Sequence, residues 1–284
     1  MRLAFTKMHG LGNDFMVFDS RRTEEVPTAD VLRRLADRRT GIGFDQALAL
    51  MPPVRPGTDV YYRIFNADGS EVEQCGNGAR CIARLVASRA ATRERALVMD
   101  SPGGLVNARL RGDGLVSIAM GVPDFDPRSL PFETEREAAS YHLDLPCGPV
   151  EFAAVSIGNP HAVIRVRSAR DAPVDTIGPA MENHARFPRR VNVGFLEIVA
   201  PDHVRLRVFE RGVGETRACG TGACAAVAVG RRHGPLAEEV RVDVPGGRLI
   251  VQWPGPGEPV WLTGPAETAF EGQVDIPDAP GSSA

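Results

Sequence analysis

The chain has 284 residues, a formal charge of −3 at pH 7, 43% apolar residues and 24% charged ones, a composition that suits a globular protein long enough for two domains, each burying its own core. Its arginines stand singly or in pairs and form no basic stripe for nucleic acid, and no apolar run reaches signal-peptide or transmembrane length; the expectation is a cytoplasmic protein acting on small polar partners, with neither nucleic acid nor membrane. Five cysteines, an odd number without a secretory leader, read as thiols and not as a disulfide framework.

Taken in chain order, Thr28 or Asp30 is placed to cap a first helix through Leu32, Leu35 and Ala36 that stops before Gly41. Tyr61 to Phe65 reads as a strand. After Gly78, apolar residues at Ala79, Ile82, Ala83, Val86, Ala87 and Ala90 fall on one helical face. The stretches Val116 to Met120, Phe152 to Ile157, Ala162 to Val166 and Val204 to Phe209 alternate or run apolar between Gly, Pro and Asp, as strands do. The run Ala223-Cys224-Ala225-Ala226-Val227-Ala228-Val229 is apolar all round, the pattern of a helix inside its domain. Strands dominate and helices are few, so the expected class is α/β in its mixed, α+β form.

A duplication lies behind this pattern. Cys75-Gly76-Asn77-Gly78-Ala79 recurs as Cys219-Gly220-Thr221-Gly222-Ala223, and upstream Arg63-Ile64-Phe65-Asn66 recurs as Arg207-Val208-Phe209-Glu210 at the same offset. Pro102-Gly103-Gly104 returns as Pro245-Gly246-Gly247, and Gly12-Asn13 as Gly158-Asn159. A period this long belongs to a duplicated domain and not to a solenoid repeat. Two pseudo-symmetric domains are therefore expected, each a curved mixed β-sheet or barrel wrapped around a central helix with a cysteine at the helix entrance. The N-terminal half would run over 1–120 and carry Cys75, with a tail from about 266 to 284 packed back onto it. The C-terminal half would run over 121–265 and carry Cys219.

The first turn of a helix has unsatisfied N–H groups and the positive end of the macrodipole. A thiolate there is stabilised, and cysteines at helix N-termini titrate between about 3.5 and about 7.5 against about 8.5 for a free thiol, so each is expected to serve as a base near neutrality. Glycines at 76, 78, 220 and 222 would let a substrate carboxylate approach the same N–H groups. A matched pair of thiols points to removal of a proton from one face of a carbon and its return on the other, which is racemisation or epimerisation. No pyridoxal cofactor is expected, because a Schiff base needs a lysine and Lys7 is the only one in the chain; no metal is expected either.

The chain resembles the diaminopimelate epimerases over nearly its full length. The resemblance is carried by His9-Gly10-Leu11-Gly12-Asn13-Asp14-Phe15, Gly41-Ile42-Gly43-Phe44-Asp45-Gln46, Phe65-Asn66-Ala67-Asp68-Gly69-Ser70, Glu73-Gln74-Cys75-Gly76-Asn77-Gly78 and Gly158-Asn159-Pro160-His161. Asn192-Val193 and the run from Glu210 through Thr216 to Ala218-Cys219-Gly220-Thr221-Gly222 complete it. It implies cofactor-independent interconversion of LL- and meso-2,6-diaminopimelate, on the route to lysine and peptidoglycan precursors, by a homodimer. It also implies that Cys75 and Cys219 are the two acid/base thiols and that Gly76, Asn77, Gly220 and Thr221 hold the reacting carboxylate. Asn13, Gln46, Asn66, Asn159, Asn192, Glu210 and Arg211 are then further substrate contacts, with His161 and Glu210 supporting the catalytic site. The segment Phe187-Pro188-Arg189-Arg190-Val191 departs from the family pattern, which more often has Asn and Thr near those arginines.

Cys81, Cys147 and Cys224 read as small packing residues. His142, His184, His203 and His233 carry no assigned role, and the arginine pairs read as solvated. Two rival functions compete. Proline racemases and hydroxyproline epimerases share the two-thiol logic, but an imino acid needs no distal Glu and Arg. A thiol-redox or zinc protein would need a Cys-x-x-Cys or histidines at finger spacing, which the chain does not have.

Overall fold

The computed structural model describes residues 2–22, 25–72, 76–88, 95–134 and 136–276. Their contacts divide them into two compact units, one of residues 2–118 with 265–276 and one of Ala119–Gly264.

In the first unit, β1 (Arg2–Gly10) and β2 (Asn13–Asp19) form a hairpin. The helix α1 (Ala29–Ala36) begins where the Thr28 hydroxyl accepts from the Val31 amide, with Asp30 in the first turn. β3 (Gln46–Met51) runs parallel to β2, β4 (Val60–Asn66) antiparallel to β3, and the short β5 (Glu71–Val72) antiparallel to β4. After the helix α2 (Gly76–Ser88), β6 (Arg95–Ser101) lies parallel to β4, and β7 (Gly104–Leu110) and β8 (Val116–Ala119) continue antiparallel.

The second unit repeats this order. β9 (Tyr141–Leu145) pairs antiparallel with β10 (Gly148–Ser156), which pairs antiparallel with β11 (Pro160–Arg165). After the helix α3 (Val174–Glu182), β12 (Asn192–Ala200) is parallel to β11 and β13 (His203–Glu210) antiparallel to β12. Then come β14 (Gly214–Thr216), antiparallel to β13, the helix α4 (Gly220–Arg232), and β15 (Glu239–Val244), parallel to β13. β16 (Gly247–Gln252) and β17 (Trp261–Gly264) continue antiparallel. The last strand, β18 (Glu267–Asp275), belongs to the first unit, where it pairs antiparallel with β1. Strand for strand, β10 to β17 reproduce the directions of β1 to β8, and α3 and α4 stand where α1 and α2 do. The sheets are mixed, as the expected class requires.

Each unit is organised by its second helix. α4 packs against β10 to β13, β16 and β17, and Ala223 to Ala228 have no exposed surface, so an apolar side chain pays no solvation penalty on any face. Val227 alone contributes roughly 1.5–3 kcal/mol by burial. α2 packs against β1 to β4, β6 and β7 and buries Ala79, Ile82, Ala83 and Ala87 of the face read from the spacing, while Val86 is only half-buried; Ala90 lies outside the described residues. α2 also buries Arg80 completely, which a helical arginine's solvated default did not announce.

The sequence reading places no helix over α3, which has Pro173 at its N-cap and Gly178 and Pro179 inside, residues with low helix propensity. The helix forms because Gly178 lets it lie on β13, where a Cβ would stand 2.5 Å from the Phe209 ring. Cys147 is not a packing residue: it sits in the tight β9–β10 connection and is exposed, whereas Cys81 and Cys224 are buried.

Candidate functional site

The strand directions collect the predicted residues at one end of each unit. In the first, Asn13 and Gln46 begin the parallel pair β2 and β3, Asn66 ends the antiparallel β4, and Gly76 begins α2. Gln46 and Asn66 are register partners. In the second, Asn159 immediately precedes β11, Asn192 begins β12, Glu210 ends β13 and Gly220 begins α4. Each half thus presents its polar residues beside the N-terminus of its buried helix. Cys75 lies outside the described residues, one position before α2 begins.

In the first unit the polar side chains are linked. Arg80 donates to Asn77 Oδ1 at 2.8 Å, Asn77 Nδ2 to Asn13 Oδ1 at 3.1 Å, and Asn13 Nδ2 to Asp45 Oδ2 at 3.0 Å. Arg38 bridges Asp45 and Asp14, and Lys7 also binds Asp14. Burial alone would raise the Asp14 carboxyl, but hydrogen bonds from Arg38 and Lys7 outweigh it and hold it well below the usual carboxylate range. A second line runs from Gln46 Nε2 to Asn66 Oδ1 at 3.0 Å and from Asn66 Nδ2 to Ser70 Oγ at 3.1 Å. Gln46 Oε1 is buried and has no hydrogen-bond partner among the described residues.

In the second unit, Cys219 is the N-cap of α4, with φ −108° and ψ 111°, and is 4% exposed. Its sulfur stands 3.6 Å from Thr221 Oγ1, which accepts from Asn159 Nδ2 at 3.3 Å. Asn159 Oδ1 is 3.0 Å from His161 Nε2. Burial, aided by the charge of Arg211, lowers His161 to about 3. The imidazole is therefore neutral at physiological pH, and facing a carbonyl oxygen it carries its proton on Nε2. The Glu210 carboxylate accepts from the Thr216 hydroxyl and is also hydrogen-bonded with the Cys219 thiol.

The expected low pKa is corrected at Cys219. Burial pushes the thiol well above its ordinary value, and the Glu210 carboxylate adds to the shift, while the Thr221 hydroxyl and the Gly222 amide offset only part of it. The helix entrance is present, but loss of water and a neighbouring carboxylate outweigh it, so Cys219 rests as a thiol. Gly222 also has a packing reason: a Cβ would stand 2.9 Å from Val208 and 3.2 Å from the Cys219 sulfur. At Gly78 a Cβ would press on Leu48 at 3.2 Å.

Asn192, 3% exposed, donates to Pro160 O at 2.8 Å and accepts the Arg211 amide at 3.0 Å. The Arg211 guanidinium donates to Arg189 O at 3.0 Å, so the segment that departs from the family pattern supplies a backbone contact. The next amide, Gly212, donates at 2.6 Å to Glu182, a buried carboxylate at the end of α3. Glu182 and Arg80 were not anticipated. Arg80 was legible as the residue one helical turn beyond Asn77, whereas Glu182 had no local signal. Among the described residues no group of three or more His, Cys, Asp or Glu side chains could hold a metal ion, and no helix is long and apolar enough to cross a membrane.

The architecture is that of the two-unit α+β epimerases and racemases. A solved hydroxyproline epimerase from Agrobacterium vitis superposes with a TM-score of 0.69 at 17% identity, covering 98% of this chain and 93% of its own. Within that class the sequence is specific. The diaminopimelate epimerase family model matches residues 5–125 and 153–269. Curated diaminopimelate epimerases from Pseudomonas aeruginosa and Alkalilimnicola ehrlichii are 53% identical over 276 residues and 52% identical over 278, each covering 97% of this chain and 100% of the relative. The chain belongs to the diaminopimelate epimerase family.

Proposed function

We propose that the protein interconverts LL- and meso-2,6-diaminopimelate, without pyridoxal phosphate or metal, by two-base chemistry between Cys75 and Cys219, in the supply of lysine and peptidoglycan precursors. The observation that carries this reading is the surrounding of Cys219. The Glu210 carboxylate hydrogen-bonds the thiol and keeps it protonated, while Thr221 and the Gly222 amide lie toward the sulfur where a thiolate would need donors. Such a group can give a proton to an α-carbon and tolerate the charge that remains. Resting as a thiol, Cys219 suits the acid role, and Cys75 the base role, for one direction of turnover; the reverse direction exchanges them.

The first turns of α2 and α4, with Gly76, Asn77, Gly220 and Thr221, would hold the reacting carboxylate and disperse carbanion charge. Arg211 suits a distal carboxylate and Glu210 an ammonium, with Asn13, Gln46, Asn66, Asn159 and Asn192 supplying donors and acceptors. The same reading takes the working form to be a cytoplasmic homodimer with no nucleic-acid or membrane partner, on the strength of the family resemblance and the near-balanced charge. Proton NMR of reduced protein with LL-diaminopimelate in deuterated water tests it. Meso product carrying deuterium at one α-carbon is expected; exchange into proline with none into diaminopimelate would overturn the substrate assignment.

A further inference from the structure

The line from Gln46 through Asn66 to Ser70 ends on a carboxylate, and that ending determines the direction of every link. Ser70 Oγ stands 2.6 Å from Asp68 Oδ1, and an ionised carboxylate only accepts, so the hydroxyl proton points at Asp68. Among its contacts, Asp68 is held below its ordinary pKa first by this hydroxyl and then by the Ser70 amide at 2.9 Å. Having given its proton, Ser70 Oγ can only accept from Asn66, which must turn Nδ2 toward it at 3.1 Å. Asn66 Oδ1 then faces Gln46, which must present Nε2, at 3.0 Å. The remaining end of Gln46, Oε1, is thereby an acceptor, and it is the buried oxygen without a hydrogen-bond partner among the described residues. A buried acceptor left without a donor is unfavourable, and a ligand N–H would relieve it.

We propose that Asp68 is a positioning residue that, through Ser70 and Asn66, holds Gln46 with its oxygen presented to an N–H donor of the ligand, an ammonium by its chemistry. Asp68 touches no ligand itself. It sits at the exposed tip of the β4–β5 turn, where Gly69 N donates to Asn66 O at 2.9 Å and Asn66 N to Ser70 O at 2.8 Å, so the turn and the relay are one unit. Without the carboxylate, the Ser70 hydroxyl is at liberty to donate to Asn66, both amides can reverse, and Gln46 would offer N–H to a cation. The proposal rests on the reading of Gln46 and Asn66 as substrate contacts.

The test separates the two. Side-chain amide spectra of the ¹⁵N-labelled, substrate-free protein are recorded for the native chain, Asp68→Ala, Asp68→Asn and Ser70→Ala, followed by steady-state kinetics with LL-diaminopimelate. Asp68→Asn keeps an oxygen for Ser70 and is expected to retain the native Gln46 and Asn66 amide signals and KM. Asp68→Ala is expected to shift both amide pairs and raise KM about fivefold, the worth of one ordinary hydrogen bond, with kcat little changed. Ser70→Ala, which cuts the relay one link closer, is expected to move the same two pairs. Unchanged amide signals in Asp68→Ala, or equal damage from Asp68→Asn, would overturn the proposal. The amide spectra need no substrate, so they decide the relay even if diaminopimelate is not turned over.

Discussion

Acidification probes the buried imidazole of His161, which starts the line through Asn159 and Thr221 to Cys219. Its folded pKa is about 3 against an ordinary 6.5. Between those values the unfolded chain binds a proton that the folded chain refuses, so stability is full above the ordinary value and is lost progressively as pH falls toward about 3. At about pH 4.5 the unfolded imidazole is two units below its midpoint, and the buried one is still neutral. The loss from pH 7 is therefore about two units at about 1.4 kcal/mol each, or roughly 3 kcal/mol. Urea unfolding at the two pH values, for the native chain and for His161→Gln, isolates this contribution. Glutamine keeps an N–H donor for Asn159 but does not titrate, and the carboxylates common to both chains cancel in the difference. The native chain is expected to lose about 3 kcal/mol more than the variant. Parallel losses would refute the buried, neutral imidazole and the tautomer inferred from it.

Three further outcomes follow from the same geometry. Thr221→Val removes the hydroxyl between Asn159 and the Cys219 sulfur while keeping its volume; kcat is expected to fall at least about tenfold and KM to rise with the loss of a carboxylate contact, and an unchanged kcat would remove Thr221 from thiolate stabilisation. Cys219→Ala and Cys75→Ala are each expected to abolish epimerisation, measured by isomer ratio, and normal turnover in either would end the two-base reading. Glu182→Ala strips the Gly212 amide of its acceptor beside Arg211; a stability loss of about 1–3 kcal/mol and a raised KM are expected from denaturant melts and kinetics, and neither effect would appear if the turn held without it.

Much of this protein is legible along the chain. The doubled cysteine motif announces a duplication, and the topology of β1 to β8 recurring in β10 to β17 bears out two units of one design. The all-apolar run at Ala223 to Val229 announces a buried helix, because a segment with no polar face has nowhere else to go. The recurring Asn, Gln, Glu and Arg positions are readable as a set because motif order and spacing are properties of the chain itself.

Other features depend on what the fold brings together. α3 forms across Gly178 and Pro179 because Phe209 receives it, so its packing on β13 overrides local propensity. The Cys219 pKa rises where the helix entrance alone predicts a fall, since burial and Glu210, nine residues away in the chain, outweigh the N-terminal amides. The neutrality of His161, the burial of Arg80 and the hold of Glu182 on the Arg211 turn have the same origin. Motifs determine which chemical groups the chain owns. Desolvation and hydrogen-bond direction, which decide their protonation and orientation, depend on neighbours that only the tertiary structure supplies.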